Sequence, residues 1–316
     1  MIEVADFRTA HRRIAPYVRR TPLIRAEPLL EGAPNGVRLS LKLENLQVTG
    51  SFKARGATNK VLSLPPEQAS RGLVTASGGN HGLGLAYAGR MAGVPVTIYL
   101  AANVPPAKAE KLERWGARVV WEGEVWDDAD RTARAVAERD GLTYIHAFAD
   151  PAVVAGQGTI GLEILEDAAD LDVLLVSIGG GGLLAGVATV FKQLAPRVRV
   201  VGVEPFGAPT LHDSLKAGRV IELPEIRTRA NTLAPRRSAD LNFELIRDHV
   251  DEIVLVEDEE MLRAARWLWF EAGIASELAG AAAVAALFSG RIPLAGGEHV
   301  GALVCGAGTD GLSSGS

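Results

Sequence analysis

Nine short runs rich in Val, Ile and Leu recur along the chain, each separated from the next by a stretch at helical spacing, and this alternation limits the fold more than any other feature. The runs cover 38–43, 73–75, 96–100, 118–121, 143–145, 173–177, 198–203, 253–256 and 300–304. Helices are predicted over 5–18, 52–63, 80–92, 106–115, 125–139, 151–168, 182–194, 209–217, 258–272 and 277–289. Strands joined through helices build parallel sheets covered by those helices, so the chain is predicted to be an α/β protein. In such sheets ligands sit outside the carboxyl ends of strands, and the loops after strands are where chemistry is to be sought. The 316 residues suffice for about two domains with a cleft between them. Between 218 and 242 the period dissolves into GRVIELPEIRTRANTLAPRRSADLN, which predicts a long loop, and the final SSGS reads as a polar tail.

Composition removes several classes of function. A net charge of −5 gives no basic surplus for phosphate backbones or anionic membranes, so nucleic acid is not an expected partner. The amino-terminal MIEVADFRTAHRRIAPYVRR carries charge throughout, unlike a signal peptide, and no run approaches the roughly 20 apolar residues of a membrane span. One cysteine, Cys305, allows neither an internal disulfide nor a Cys-rich metal site. A cytoplasmic protein is the expectation. The 35 glycines are concentrated in runs after strands, as where backbone is brought close to a ligand. Lysine is scarce: Lys42, Lys53, Lys60, Lys108, Lys111, Lys192 and Lys216 are all there are, so few residues can supply a neutral amine.

Four motifs stand at such loops. In KLENLQVTGSFKARGA, residues 42–57, Thr49-Gly50-Ser51 predicts a turn and a helix cap, with Lys53 in the first helical turn. There the helix dipole and burial both favour the neutral amine, which can attack an aldehyde; a solvated lysine on an amphipathic helix is the bland alternative. In TASGGNHGLGLAYAG, residues 75–89, backbone N–H groups at a strand-to-helix turn welcome an anion, and Ser77, Asn80 and His81 add polar groups. His81 has no second ligand at metal spacing and is expected to be satisfied by local backbone rather than to act as a base. In SIGGGGLLAG, residues 177–186, four consecutive glycines between strand and helix suit a phosphate; neither a Walker lysine nor a clean dinucleotide pattern follows. In VGALVCGAGTDG, residues 300–311, a buried strand ends at Cys305, which has no positive neighbour to make it a nucleophile.

Together these motifs resemble the fold type II pyridoxal-phosphate enzymes, the serine/threonine dehydratase and serine racemase group. The resemblance runs from RTPL at 20–23 through GSFKARGA, SGGNHG, DPAVVAGQGTIGLEIL, GGGGLLAG and VGVEP to CGAGTD. It implies a tryptophan synthase β-like fold of two domains, each a mostly parallel sheet flanked by helices: residues 1–70 and 150–316 forming the larger, cofactor-binding domain, and 71–149 a smaller mobile one. It implies pyridoxal 5'-phosphate as cofactor, with Lys53 carrying the Schiff base and Phe52 packing on the ring. Asn80 would contact the pyridoxal hydroxyl, Gly179, Gly180, Gly181, Gly182 and Leu183 would hold the phosphate, and Cys305 would face the pyridine nitrogen. Ser77, Gly78, Gly79, Asn80 and His81 would bind the substrate carboxylate, and the freed Lys53 would take the α-proton. The implied reaction converts a β-hydroxy amino acid such as L-threonine or L-serine to a 2-oxo acid and ammonia, in a homodimer.

The sequence departs from the group in three places. Gly78 stands where racemases have a serine, which favours dehydration over racemisation. For the divalent-cation site, Mg or Ca, Glu204 and Ala208 match but the third ligand position is Thr210. An expected acid-glycine pair after the long loop reads Asn231-Thr232. The carboxyl-terminal regulatory domain of biosynthetic relatives is not expected. Competing readings are a 3-hydroxyaspartate dehydratase or serine racemase on the same scaffold and, from another class, a nucleotide-binding module that would not depend on Lys53.

Overall fold

The alternation resolves into two sheets. The computed structural model describes residues 2–27 and 29–312, so the polar tail lies outside the described residues. The first sheet is six-stranded, in the order β1 (Leu23–Arg25), β2 (Arg38–Leu43), β10 (His299–Val304), β7 (Val173–Ser177), β8 (Arg199–Pro205) and β9 (Glu252–Val256). It is mixed: β1 runs antiparallel to β2, with Leu23 opposite Lys42, and the other pairs are parallel. The second is four-stranded and wholly parallel, in the order β5 (Arg118–Trp121), β4 (Val96–Leu100), β3 (Leu73–Ala76) and β6 (Thr143–Tyr144).

The helices are α1 (Val4–Ile14), α2 (Lys53–Ser63), α3 (Pro66–Ser70), α4 (Asn80–Ala92), α5 (Pro106–Arg114), α6 (Trp126–Asp140), α7 (Pro151–Asp167), α8 (Gly182–Leu194), α9 (Thr210–Ala217), α10 (Asp240–His249), α11 (Asp258–Ala272) and α12 (Leu278–Phe288). Strands β3, β7 and β10 are buried at every position, as parallel strands covered on both faces must be. Helix α12, LAGAAAVAALF, is apolar all round and buried at all but its last residue, and packs beneath β7 and β10.

All nine predicted strands are present, and the differences lie where periodicity carries little information. Strand β1 has only three residues. Helix α1 stops at Ile14 rather than at 18: Ala15 keeps helical backbone, and Pro16, which has no N–H, breaks the ladder of hydrogen bonds after it. Helix α3 is a five-residue turn, and α10 closes the long loop. In α10 the alternation of Leu241, Phe243 and Leu245 hides a helix that buries Phe243, Leu245 and Ile246.

Two devices fix helix α2, which carries Lys53. Glycines let α2, α7 and α8 touch backbone to backbone: a Cβ on Gly156 would lie 2.6 Å from the Gly56 Cα, and one on Gly186 would lie 2.8 Å from the Gly158 N. Beneath them lies a buried ionic cluster. The Arg55 guanidinium donates to both Glu44 oxygens at 2.8 and 2.9 Å and to both Glu163 oxygens at 2.6 and 2.9 Å. Lys42 Nζ donates to Glu163 at 2.7 Å and to the Thr21 carbonyl at 2.8 Å. Two cations and two carboxylates balance, so full burial leaves no net charge in the interior.

Candidate active site

The loops after β2, β3, β7 and β10 carry the four motifs and converge. The residues before α2 turn sharply, with Thr49 at φ 66° and Gly50 at φ 87°. A β-branched residue in the left-handed region is costly and persists only where the surroundings impose it. Here they do: Ala307 N donates to the Gly50 carbonyl at 2.8 Å, Phe52 N to the Cys305 carbonyl at 3.2 Å, and Ser51 bridges Gly306. The predicted turn is therefore present, but the Ser51 hydroxyl makes no helix cap; it is buried without a partner.

Lys53 is the first residue of α2. Its Nζ donates to the Ala147 carbonyl at 2.7 Å and lies 5.1 Å from the centre of the Phe52 ring. Burial lowers its pKa to about 8, while Cys305 and Glu277 pull the other way. A sizeable share is thus neutral amine at mildly basic pH, as a nucleophile for an aldehyde requires.

Asn80 opens α4 after the turn at Ser77, Gly78 and Gly79, where Gly79 N donates to Ser77 Oγ at 3.3 Å. Helix α4 rests on α2: a Cβ on Gly84 would lie 3.0 Å from the Lys53 carbonyl. The His81 ring bonds the Ile145 carbonyl through Nε2 at 3.0 Å, and burial and Lys53 lower its pKa to about 3. It is a neutral histidine, and the backbone carbonyl that satisfies it comes from a segment 64 residues away rather than from its own turn. At Gly78 a Cβ would meet the Val104 side chain at 2.8 Å, so any larger residue there has to displace it.

The glycine loop turns into α8 at Gly181, φ 92°. Asn242 Nδ2 at 2.7 Å and Ser238 Oγ at 3.0 Å pin the Gly180 carbonyl, and the planar trans peptide sends the following N–H the opposite way. The first turn of α8 has N–H groups without intrahelical partners, and the dipole adds to their attraction for an anion. A Cβ on Gly180 would collide with the Phe148 ring, and one on Gly179 would lie 2.6 Å from the Thr232 carbonyl. Phe148 is next to Ala147, which accepts from Lys53, so residues 146–149 tie the lysine to the glycine loop. That segment is held by His146, whose Nδ1 accepts from Phe148 N at 3.2 Å and Ala149 N at 3.0 Å.

Cys305 is buried, with Sγ 3.5 Å from the Ala279 carbonyl, and burial pushes its thiol well above the ordinary range. It is a neutral group, not a thiolate. Beside it lies a residue that sequence reasoning missed. Glu277 accepts from Asn80 Nδ2 at 2.8 Å and from the Thr232 hydroxyl at 3.4 Å. Burial raises its pKa to about 7, Asp310 adding to the effect and Asn80, Thr232 and Lys108 opposing it. A lone acid before an apolar helix reads as a cap; only the distant Asn80 reveals its other role.

Glu204 lies behind the glycine loop. It is buried, and its two oxygens accept from Leu211 N and His212 N at 2.8 Å each, at the start of α9. Thr210, in place of a second acid, donates its hydroxyl to the Pro235 carbonyl at 2.7 Å. Among the described residues no group of three or more His, Cys, Asp or Glu is arranged to hold a metal ion.

Comparison with known proteins points one way. The family model described as pyridoxal-phosphate dependent enzyme matches residues 14–306. An L-threonine ammonia-lyase of Thermotoga maritima is 42% identical over 289 residues, covering 92% of this chain and 72% of that protein. Among solved structures, a processed threonine deaminase isoform of Solanum lycopersicum superposes with a TM-score of 0.91 at 34% identity, over 96% of this chain and 83% of the other. Maize serine racemase superposes with a TM-score of 0.90 at 32% identity, over 97% of this chain and 93% of the other.

Proposed function

Given that this chain belongs to the pyridoxal-phosphate-dependent enzyme family, we propose that it is an ammonia-lyase converting L-threonine or L-serine to a 2-oxo acid and ammonia. Lys53 carries the reading: an amine lowered to about 8, directed at the Ala147 carbonyl and joined through Phe148 to a loop where glycine is required.

The residues fit the cofactor. Gly179 to Gly182 leave a side-chain-free cradle at the start of α8, where a Cβ at any of the four would collide with Phe148, Thr232 or Leu211. Their N–H groups and that of Leu183 would hold the phosphate, Phe52 would flank the ring, Asn80 would donate to the phenolic oxygen, and Cys305 would meet the ring nitrogen as an uncharged thiol. When bound, pyridoxal phosphate supplies the electron sink that acidifies the substrate's α-proton and lets the β-hydroxyl leave. Lys53 Nζ accepts that proton as general base. The turn from Ser77 through Gly78 and Gly79 to Asn80 and His81 orients the substrate carboxylate by its N–H groups. Residue 78, a glycine packed against Val104, supplies no base, which supports elimination over racemisation. The net change is loss of water across Cα–Cβ followed by hydrolysis to the 2-oxo acid and ammonia.

The four-stranded sheet and its helices support assigning residues 71–149 as the smaller domain, against 1–70 and 150–316; its mobility is what the resemblance implies. The donor set at Glu204, Ala208 and Thr210 does not fit a divalent cation: it has one carboxylate, already bonded to two backbone N–H groups, and a hydroxyl committed elsewhere. We take the enzyme to work without one, as a cytoplasmic homodimer that binds neither nucleic acid nor membrane. Purified protein is to be given L-threonine, L-serine and 3-hydroxyaspartate in turn, with 2-oxo acid and D-amino acid both measured. Release of 2-oxo acid from threonine or serine, outpacing any D-serine formed, is expected. Turnover of 3-hydroxyaspartate alone, or faster racemisation, would overturn the reading.

A further inference from the structure

We propose that Glu277 is a positioning residue for this reaction, its carboxylate fixing the side-chain amide of Asn80 and, through it, the hold of the cleft on the phenolic oxygen of the cofactor. The inference rests on the reading that Lys53 and Asn80 serve pyridoxal phosphate.

Glu277 precedes α12, where an acidic side chain ordinarily caps the helix. It does not do so here. The N–H of Leu278, the first residue of α12, is taken at 2.8 Å by Asp310 from the terminal turn, and the Glu277 side chain makes no capping bond. Its carboxylate instead reaches Asn80 on α4. That bond joins the helix under the six-stranded sheet to the first residue of the helix that follows β3 of the four-stranded one, across the cleft.

The terminal turn makes room for this arrangement. A Cβ on Gly306 would collide with Glu277 Oε1, and one on Gly308 would lie 2.7 Å from the Glu277 Cα and Cβ. The glycines after Cys305 thus give Glu277 passage to Asn80. A carboxylate only accepts, so it forces the Nδ2 end of the Asn80 amide towards itself. The second N–H on Nδ2 then has a fixed direction, which an acceptor such as a phenolic oxygen needs; a flipped amide would present oxygen to oxygen. The titratable groups that influence Glu277 are Lys108 on α5, Asp310 on the terminal turn, Lys53 on α2 and Cys305 at the end of β10, and the Thr232 hydroxyl is its second hydrogen-bond partner.

The test is a double-mutant cycle on cofactor affinity. Glu277→Gln, Asn80→Ala and the double variant are stripped of cofactor and titrated with pyridoxal phosphate by fluorescence, with thermal unfolding run alongside. At about pH 8.5, above the value of about 7 to which burial raises Glu277, loss of the charge-assisted acceptor at constant shape is expected to weaken binding about tenfold in Glu277→Gln. In the Asn80→Ala background the same change is expected to have an effect below about twofold, because the residue it acts through is gone. Equal effects in both backgrounds, or none in either, would overturn the proposal. If Glu277→Gln fails to fold, Glu277→Asp, one methylene short of Asn80, reads the same coupling. Wild-type protein that does not bind pyridoxal phosphate would instead overturn the functional reading beneath it.

Discussion

Substituting Glu163 by alanine removes the carboxylate that Lys42 and Arg55 share, and its cost can be worked from the cluster. Glu163 accepts at 2.7 Å from Lys42 and at 2.6 and 2.9 Å from Arg55, all of them buried. Without it, two cations face Glu44 alone and the interior carries a net positive charge. Breaking a buried pair in this way costs about 3–5 kcal/mol. An unfolding entropy of about 2.1 cal/mol/K per residue then predicts a melting temperature lower by roughly 5–8 °C for one cooperative transition. Glu166→Ala, which breaks an exposed pair with Arg20, is the control and should cost under about 1 kcal/mol. Adding Lys42→Met to Glu163→Ala restores charge balance and should recover a substantial part of the loss. Burial pushes the Glu163 carboxyl up, but the hydrogen bonds and charges of Arg55 and Lys42 outweigh it and hold it below the ordinary range. The stabilisation is therefore complete above the unfolded value of about 4.3 and is lost as pH falls through the lower folded value. Melting followed by circular dichroism from about pH 3 to pH 8 reads both effects. A Glu163→Ala shift no larger than that of Glu166→Ala would refute the reasoning.

Three further outcomes follow from the same geometry. Lys53 is lowered to about 8 on folding, so its charged form penalises the cofactor-free fold below that pH, and the penalty vanishes as pH rises through the unfolded value. Lys53→Met should make the cofactor-free protein more stable in urea at about pH 7, by at most about 3 kcal/mol, and give no advantage above roughly pH 10.5. Gly180→Ala must displace Phe148, and with it the Ala147 carbonyl that holds Lys53; a loss of about 1–3 kcal/mol of stability and weaker binding of pyridoxal phosphate are expected, by melting and fluorescence titration. Chelator or millimolar magnesium or calcium should leave the wild-type melting temperature and 2-oxo acid release unchanged, whereas Thr210→Asp should make the melting temperature cation-dependent; a wild type stabilised by calcium would contradict the fit argued for Glu204.

The sequence reveals the strands, whose continuous apolar runs reflect burial on both faces, and with them the loops on which Lys53, Asn80 and the glycines stand. For His81 the sequence suggests a partner in its own turn, whereas the structure supplies the carbonyl of Ile145, 64 residues away. Relations between distant segments are not legible in it. Glu277 becomes informative only once Asn80, 197 residues away, is beside it, and once Asp310 is seen to have taken over the helix end. The buried cluster draws Lys42, Glu44, Arg55 and Glu163 from β2, the turn after it, α2 and α7, and each reads alone as an ordinary surface charge. Likewise, Phe148 gives no local sign that the glycine loop is shaped against it.

The most direct measurement is the visible spectrum of purified protein supplied with pyridoxal phosphate, compared with that of Lys53→Ala, followed by addition of L-threonine while 2-oxo acid is measured. The account predicts a yellow wild type that releases 2-oxo acid and a variant that lacks both the lysine-bound band and the activity. A wild type that stays colourless with pyridoxal phosphate, or a Lys53→Ala protein that keeps the band and the turnover, would contradict it.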